Sequence, residues 1–241
     1  MQTLNNKTVI ITGGSRGIGR VLALRLAKEK ANVVITGRNK KDVTNTRDEL
    51  LKIHENVLAI DADVSNYDDV KKIVSETVNK FKDIHFLVNN AGIMTHKLLK
   101  DFEINEWKKV FEVNVFGTMM MCKEVLPYME KLAETTGGTI INIASMSGRS
   151  GYERGTAYSA SKFALTGFSE SLFKEVRQKN IRVLTLYPSY VETDLKNEKE
   201  LKEIGKGVYM RAEDVADTII STMKLPQRAM LKGIEIWGTN P

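Results

Sequence analysis

The sequence predicts an α/β fold in which seven parallel strands form one sheet with helices on both faces. Three observations lead to this prediction. Short, apolar, β-branched segments alternate with longer segments of helical periodicity. A glycine-rich stretch separates the first strand-like segment from the first helix-like one. The chain of 241 residues has no linker or internal repeat and is long enough for one large core. We therefore expect a single domain over residues 1–241.

The predicted strands are buried runs rich in Val and Ile, as strands covered on both faces require. In chain order they are TVIITG, NVVITG, VLAIDADV, IHFLVNNAG, GGTIINIAS, IRVLTLYP and GIEIWG. Helical patterns fill the gaps, including one long helix around residues 105–132 and another around 157–179. In such folds ligands bind beyond the carboxyl ends of the strands, so functional residues are expected there.

The first strand runs into a glycine-rich loop with the spacing T-G-x-x-x-G-x-G, formed by Thr12, Gly13, Gly17 and Gly19. Glycines allow a tight turn and a close approach of another group to the backbone. The helix that follows offers free N–H groups and a positive dipole end to an anion. A plain turn would also accommodate glycines, but the position between strand and helix favours a pyrophosphate site.

Composition excludes several other functions. The formal charge of +6 is spread over interspersed Lys, Arg, Asp and Glu, without the basic face of a nucleic-acid binder. No apolar run approaches the length of a membrane span, and the N-terminal segment leaves no room for a signal peptide. We therefore expect a cytoplasmic protein that binds neither nucleic acid nor membrane. Cys122 is the only cysteine, and the three histidines lack ligand spacing and are expected on the surface or in loops, so no metal site is expected.

A catalytic group is predicted in the segment YSASKFALTG, which has a helical pattern. Tyr158 and Lys162 are four residues apart and share one helix face. A nearby ammonium is expected to lower the pKa of the Tyr158 phenol, so that it exchanges a proton with a carbonyl or alcohol oxygen. Ser145 ends the fifth strand and is expected to hydrogen-bond the same oxygen.

The end of the second strand bears on the choice of cofactor. A carboxylate there would bind the ribose 2′-hydroxyl of NAD, whereas an arginine accommodates the 2′-phosphate of NADP. The sequence is VVITGRN, with Gly37 in place of the acid and Arg38 after it. Arg16 in the glycine loop is a second cation for the phosphate. The residues therefore favour NADP(H).

The joint pattern resembles the classical short-chain dehydrogenases/reductases over essentially the whole chain. It consists of the glycine loop, NNAG at 89–92, Ser145 and Tyr-x-x-x-Lys at 158–162. The resemblance implies a doubly wound Rossmann-type fold and a catalytic set of Asn114, Ser145, Tyr158 and Lys162. It also implies that Lys162 holds the nicotinamide ribose and that Asn114 supports a proton-relaying water.

The same resemblance implies the remaining cofactor contacts. They are Gly13, Ser15, Arg16, Gly17, Ile18, Gly19, Arg38, Asp63, Val64, Asn89, Ala91, Gly92, Tyr158, Lys162, Pro188, Val191 and Thr193. Ser189 departs from the family pattern, which has glycine there, and positive φ is costly for serine. Residues 194–210 are expected to form a substrate lid, with Leu201, Ile204 and Val208 on one helical face.

These patterns predict an enzyme that reduces a ketone or a 3-oxoacyl group with NADPH. The C-terminal segment resembles general carbonyl reductases. A 3-oxoacyl-[acyl-carrier-protein] reductase is an alternative. Lys179 favours it, because the resemblance places this residue where such reductases carry a carrier-binding arginine. Thr136 opposes it, because it replaces a second basic residue of those reductases. The partner of such a reductase would be acyl carrier protein. A third hypothesis is a regulator that binds NADP but has no catalytic activity. The family implies a homotetramer or homodimer.

Overall fold

A computed structural model describes residues 1–192 and 209–239 and contains the predicted seven-stranded parallel sheet. Its strands follow the spatial order β3-β2-β1-β4-β5-β6-β9, and every neighbouring pair is parallel. They are β1 (Thr8–Thr12), β2 (Asn32–Gly37), β3 (Val57–Asp61), β4 (Phe86–Asn89), β5 (Gly138–Ile143), β6 (Ile181–Pro188) and β9 (Gly233–Ile236). The order reverses between β1 and β4, where the sheet opens a crevice for ligands.

Seven α-helices are described, and they cover both faces of the sheet. They are α1 (Gly17–Lys28), α2 (Lys40–Leu51), α3 (Tyr67–Phe81), α4 (Ile104–Phe111), α5 (Gly117–Glu130), α6 (Thr156–Val176) and α7 (Ala212–Met223). Alternate strand residues point to opposite faces. In β1, Val9 and Ile11 pack with α1 and α7, whereas Ile10 packs with α3 and α5. Two apolar layers therefore hold the sheet in place.

The predicted long helix around residues 105–132 is interrupted. A π-helical segment, Glu112–Phe116, separates α4 from α5. The wider turn of this segment directs the Asn114 side chain into the protein interior, where Asn114 is 1 % exposed. Such single π-turns are often found at functional sites.

A second, two-stranded parallel sheet pairs β7 (Val191–Glu192) with β8 (Met210–Arg211). The sequence prediction assigned Met210 to the lid, but it pairs with Val191. Residues 194–208 of the predicted lid, which include Leu201, Ile204 and Val208, lie outside the described residues, as does Thr193.

Across residues 1–192 and 209–239, no helix combines the length and apolarity needed to cross a bilayer. The same residues bring no three potential metal ligands together.

Candidate active site

The glycine loop is shaped by close packing against the end of β4. Gly13 and Gly17 have positive φ values of 62° and 51°, a conformation that other residues adopt at a cost. A Cβ on Gly19 would lie 2.3 Å from the Gly13 carbonyl oxygen. Arg16 occupies the N-cap position of α1, but its side chain makes no capping hydrogen bond. The first backbone N–H groups of the helix are therefore not capped by this side chain. This cradle fits the pyrophosphate of a dinucleotide.

Thr12 and Asn90 fix the loop against β4. The Thr12 hydroxyl accepts hydrogen bonds from the backbone N–H groups of Asn90 and Ala91, each at 3.0 Å. The Asn90 amide in turn donates to the carbonyls of Thr12 and Gly13, at 3.1 and 3.0 Å. The loop and the NNAG turn are therefore one rigid unit at the switch point of the sheet.

A pocket at this edge is lined by most of the residues predicted to bind the cofactor. They are Gly13, Ser15, Arg16, Gly17, Ile18, Arg38, Asp63, Val64, Ala91 and Gly92. The sequence reasoning missed other lining residues, namely Thr36, Asn39, Asp42, Ala62, Asn90, Ile93 and Val113. Asn90 is the second residue of the NNAG motif, so the motif could have been used to predict its position in the pocket.

Six described residues of the predicted cofactor set do not line this pocket, namely Gly19, Asn89, Tyr158, Lys162, Pro188 and Val191. Asn89 is 3 % exposed, and its amide donates to Asn142 Oδ1 at 2.8 Å and to Cys122 Sγ at 3.3 Å. As the last residue of β4, it points into the layer between the sheet and the helices. Gly19 is buried behind the loop and makes room for Gly13.

The end of the pocket beside Arg38, which follows β2, carries a partly exposed charge cluster. The Arg38 guanidinium lies 3.8 Å from an Asp63 carboxylate oxygen, and Lys109 Nζ lies 4.0 Å from the same carboxylate. Burial alone would raise the pKa of Asp63. The hydrogen bonds from Ser65 and the charges of Lys109 and Arg38 outweigh burial and hold that pKa below its usual range.

The predicted catalytic side chains converge at the other end. The Ser145 hydroxyl hydrogen-bonds the Tyr158 phenol and accepts from the Ser147 backbone N–H at 3.1 Å. Lys162 Nζ lies 5.5 Å from the centroid of the Tyr158 ring. A Cβ on Gly92 would lie 3.7 Å from Lys162 Nζ and 3.4 Å from Asn114 Oδ1, so the pocket and the catalytic group are neighbours.

Asn114 belongs to a buried hydrogen-bond network. Its Oδ1 accepts from the Ile93 N–H at 2.8 Å, and its Nδ2 donates to the Ile93 carbonyl at 2.9 Å. The same amide donates to Ser161 Oγ, which donates to the Tyr158 carbonyl at 2.7 Å. Ser161 was not predicted from the sequence. Its position in YSASK gives no chemical signal until the fold places it against Asn114.

The pKa of Tyr158 differs from the expectation. Burial raises the phenol pKa to about 12, although the Ser145 hydrogen bond acts in the opposite direction. The Lys162 ammonium donates instead to the Ile143 carbonyl at 2.8 Å, and burial lowers its own pKa to about 8. The expected lowering of the Tyr158 pKa by Lys162 is therefore wrong for this structure, because desolvation of the phenol dominates.

The turn after β6 tolerates Ser189. Five described non-glycine residues have positive φ, and Ser189 is not among them. Its N–H donates to the Ile236 carbonyl at 2.8 Å, so the turn is tied to β9 without strain. Pro188 ends β6 and Val191 is buried in the small sheet, both at the carboxyl edge of the main sheet.

Comparison with known proteins agrees with this geometry. The family described as short chain dehydrogenase matches residues 7–204. An uncharacterized oxidoreductase of Staphylococcus saprophyticus is 31% identical over 240 residues, covering 98% of this chain and 99% of its own.

Two solved structures are also similar. One is a 3-ketoacyl-(acyl-carrier-protein) reductase from Brucella melitensis complexed with NADH. It is 28% identical, with a TM-score of 0.88 over 97% of both chains. The other is a serine dehydrogenase complexed with NADP+. It is 26% identical, with a TM-score of 0.87 over 97% of this chain and 94% of its own. The family match, the identity and the shared architecture together establish that this chain belongs to the short-chain dehydrogenase family of oxidoreductases, whose members bind a nicotinamide cofactor.

Proposed function

We propose that this protein is an NADPH-dependent reductase that converts a ketone to an alcohol. One observation carries the proposal: Ser145, Tyr158 and Lys162 converge beside Gly92, at the end of a pocket whose far side holds Arg16 and Arg38. Bound NADPH would supply the hydride. The glycine loop would hold its pyrophosphate, and Lys162 would hold its nicotinamide ribose.

The chain's own residues would manage the proton and the developing charge. Tyr158 is protonated at neutral pH because burial raises its pKa to about 12, so it is ready to donate a proton to a carbonyl oxygen. Ser145 shares a hydrogen bond with that phenol and would also donate to the carbonyl oxygen. Lys162, with a pKa of about 8, carries a positive charge at neutral pH that would stabilise the phenolate left behind.

The preference for NADPH rests on this chain's charges and shape. Gly37 provides no carboxylate, and Arg16 and Arg38 both line the pocket. A Cβ on Gly37 would lie 2.7 Å from Ser15 Oγ and 3.2 Å from Val43 Cγ2. The space for an acidic side chain is thus already occupied. A guanidinium is well matched to a phosphate.

A 3-oxoacyl-[acyl-carrier-protein] reductase is the second candidate, supported by the similarity to the Brucella enzyme. The placement of Lys179 argues against it within one chain. Lys179 follows α6, whose 21 residues span about 30 Å, so it lies at the opposite end of that helix from Tyr158. A carrier held by Lys179 would therefore sit far from the site of its own chain.

The deciding experiment follows NADPH oxidation with an activated ketone ester and, separately, with acetoacetyl-CoA, with NADH in parallel. Turnover mainly of the ketone with NADPH would support the proposal. Turnover of acetoacetyl-CoA alone would favour the 3-oxoacyl reductase. Tight NADPH binding without turnover of either would favour the silent regulator, and equal use of NADH would refute the cofactor preference.

We also propose that the chain self-associates through α5 and α6. Phe116, Met119 and Phe163 project from the π-helical segment and from these two helices, and are 53%, 39% and 47% exposed. Exposed large apolar side chains on elements that pack against one another are typical of a subunit contact. Light scattering at micromolar concentration should give the mass of a dimer or tetramer, and a monomer would refute this proposal.

A further inference from the structure

We propose that the stacked rings of His96 and Tyr152 form a wall of the substrate site that selects carbonyl compounds carrying a planar π-system next to the carbonyl. This inference rests on the proposed reductase function and names a substrate class for the same site. Neither residue belongs to the catalytic group or to the nucleotide pocket described above.

Both rings stand on loops that begin at the catalytic centre. His96 lies in the loop that follows Gly92, the residue adjacent to Asn114 and Lys162. Tyr152 lies in the loop between Ser145 and α6, the helix that carries Tyr158. The two loops therefore both follow residues of the catalytic centre in the chain, and they contact each other at the two rings.

The two loops are joined by more than the rings. The ring centroids of His96 and Tyr152 are 6.2 Å apart with planes inclined by 29°, a stacked arrangement. The Lys97 N–H donates to the Arg154 carbonyl at 3.0 Å. The Lys97 ammonium is bound by Glu106 of α4 at 2.6 Å. These contacts hold the wall in one position before a substrate arrives.

Gly155 seats the Tyr152 ring beside Tyr158. A Cβ on Gly155 would lie 2.4 Å from two ring atoms of Tyr152, so the ring rests directly on the Gly155 backbone. Gly155 precedes α6 and lies one helical turn before Tyr158. Burial is the main cause of the raised Tyr158 pKa, and the Tyr152 phenol adds to it, which places the two phenols within electrostatic range.

The wall is accessible to a ligand. Tyr152 is 40% exposed, and His96 is also exposed. Stacked or edge-to-face contacts between aromatic groups add about 0.5–1.5 kcal/mol beyond the area they bury, which corresponds to about a twofold to twelvefold change in affinity. An aryl or conjugated ketone gains this contact, and a saturated ring of similar size does not.

The test compares two matched substrates, ethyl benzoylformate and ethyl 2-cyclohexyl-2-oxoacetate, with NADPH. The measured quantity is the ratio of their kcat/KM values. Tyr152→Leu should lower the aryl-to-cyclohexyl ratio by about threefold to tenfold, and His96→Leu should lower it by a smaller factor. Tyr152→Phe keeps the ring and should stay within about twofold of the unmodified protein. Tyr128→Leu, near the far end of α5, is the control and should leave the ratio unchanged.

An unchanged ratio in Tyr152→Leu and in His96→Leu would overturn the wall. A binding measurement separates this failure from failure of the reductase function. NADPH-loaded Tyr158→Phe is titrated by calorimetry with each ester, with and without Tyr152→Leu. If the protein turns over neither ester, the reductase proposal fails. The proposed wall is supported in that case if the aryl ester binds with a lower Kd than the cyclohexyl ester and this difference disappears in Tyr152→Leu. If the two esters bind equally, or if the difference persists in Tyr152→Leu, the proposal is refuted.

Discussion

The two ends of the site hold their charged and polar groups in opposite ways. At the nucleotide end, the side chains of Arg38 and Lys109 are 50% and 42% exposed and meet Asp63 at 3.8 and 4.0 Å. At the catalytic end, Asn114 is 1 % exposed and Lys162 is 5 % exposed, and both are bound to backbone atoms. Exposed cations suit a charged ligand that must bind and leave, because water and salt weaken each contact. Buried, hydrogen-bonded groups suit proton transfer, because their positions are fixed before the reaction begins.

The largest effect should come from removing the Tyr158 hydroxyl, which breaks only the catalytic end. Tyr158→Phe should lower kcat by about 10²–10⁴-fold, because the proton donor is lost. The Kd of NADPH, measured by fluorescence titration, should stay within about twofold, because the phosphate-binding residues lie elsewhere. Retained turnover would contradict the assigned role of Tyr158.

Replacing Asn114 tests whether the catalytic end is also a structural unit. Asn114→Leu leaves the Ile93 N–H and the Ile93 carbonyl without their partner, and Ser161 Oγ keeps only its hydrogen bond to the Tyr158 carbonyl. Buried polar groups without partners should lower the free energy of unfolding by about 2–3 kcal/mol in urea denaturation. Asn79→Leu on the exposed face of α3 is the matched control and should change it by less than about 0.5 kcal/mol. Equal stability of the two variants would show that the network is not a structural unit.

Replacing Arg38 breaks the nucleotide end alone. Arg38→Ala should raise the Kd of NADPH by about tenfold, since one charge-assisted contact to phosphate is lost. The Kd of NADH should change much less. Added salt should reduce the difference between the Kd values of NADPH and NADH, because it screens the charge of the 2′-phosphate. Arg47→Ala on α2, whose guanidinium pairs with Asp48 outside the pocket, should leave both constants unchanged. An equal loss for NADH would contradict recognition of the 2′-phosphate.

The smallest expected effect is a pH dependence that distinguishes the catalytic end from the nucleotide end. The Lys162 ammonium has a pKa of about 8, so it loses its proton as the pH rises through that value. The rate of ketone reduction should therefore fall by about threefold to tenfold between pH 7.5 and pH 9. The Kd of NADPH should change less than the rate, because Arg16 and Arg38 line the pocket away from Lys162. A flat rate profile would exclude a role for the Lys162 charge in the rate.

The sequence predicted the sheet well because strands buried on both faces are continuous apolar runs, as IRVLTLYP of β6 shows. It predicted the glycine loop equally well, because positive φ at Gly13 and Gly17 restricts the residue type. It was less informative for side chains whose direction depends on packing. Asn89 and Asn90 are identical in chemistry, yet Asn89 bonds inside the core and Asn90 holds the glycine loop.

His85 shows the same limit. Its spacing indicated only a surface or loop histidine. In the structure Nδ1 accepts from the Thr8 N–H at 3.1 Å, and burial lowers the pKa of the ring to about 4. No local pattern marks such a histidine, because its partner Thr8 lies on β1, far from His85 in the chain.

The sequence by itself determined the fold class, the glycine loop, the spacing of Ser145, Tyr158 and Lys162, and the arginines beside Gly37. These features depend on local geometry and residue chemistry, which neighbouring positions express directly. Only the tertiary structure decided the π-turn at Asn114, the link through Ser161, the raised pKa of Tyr158 and the stacking of His96 on Tyr152. Each of these depends on desolvation or on contacts between distant segments, and those forces arise only when the chain is packed.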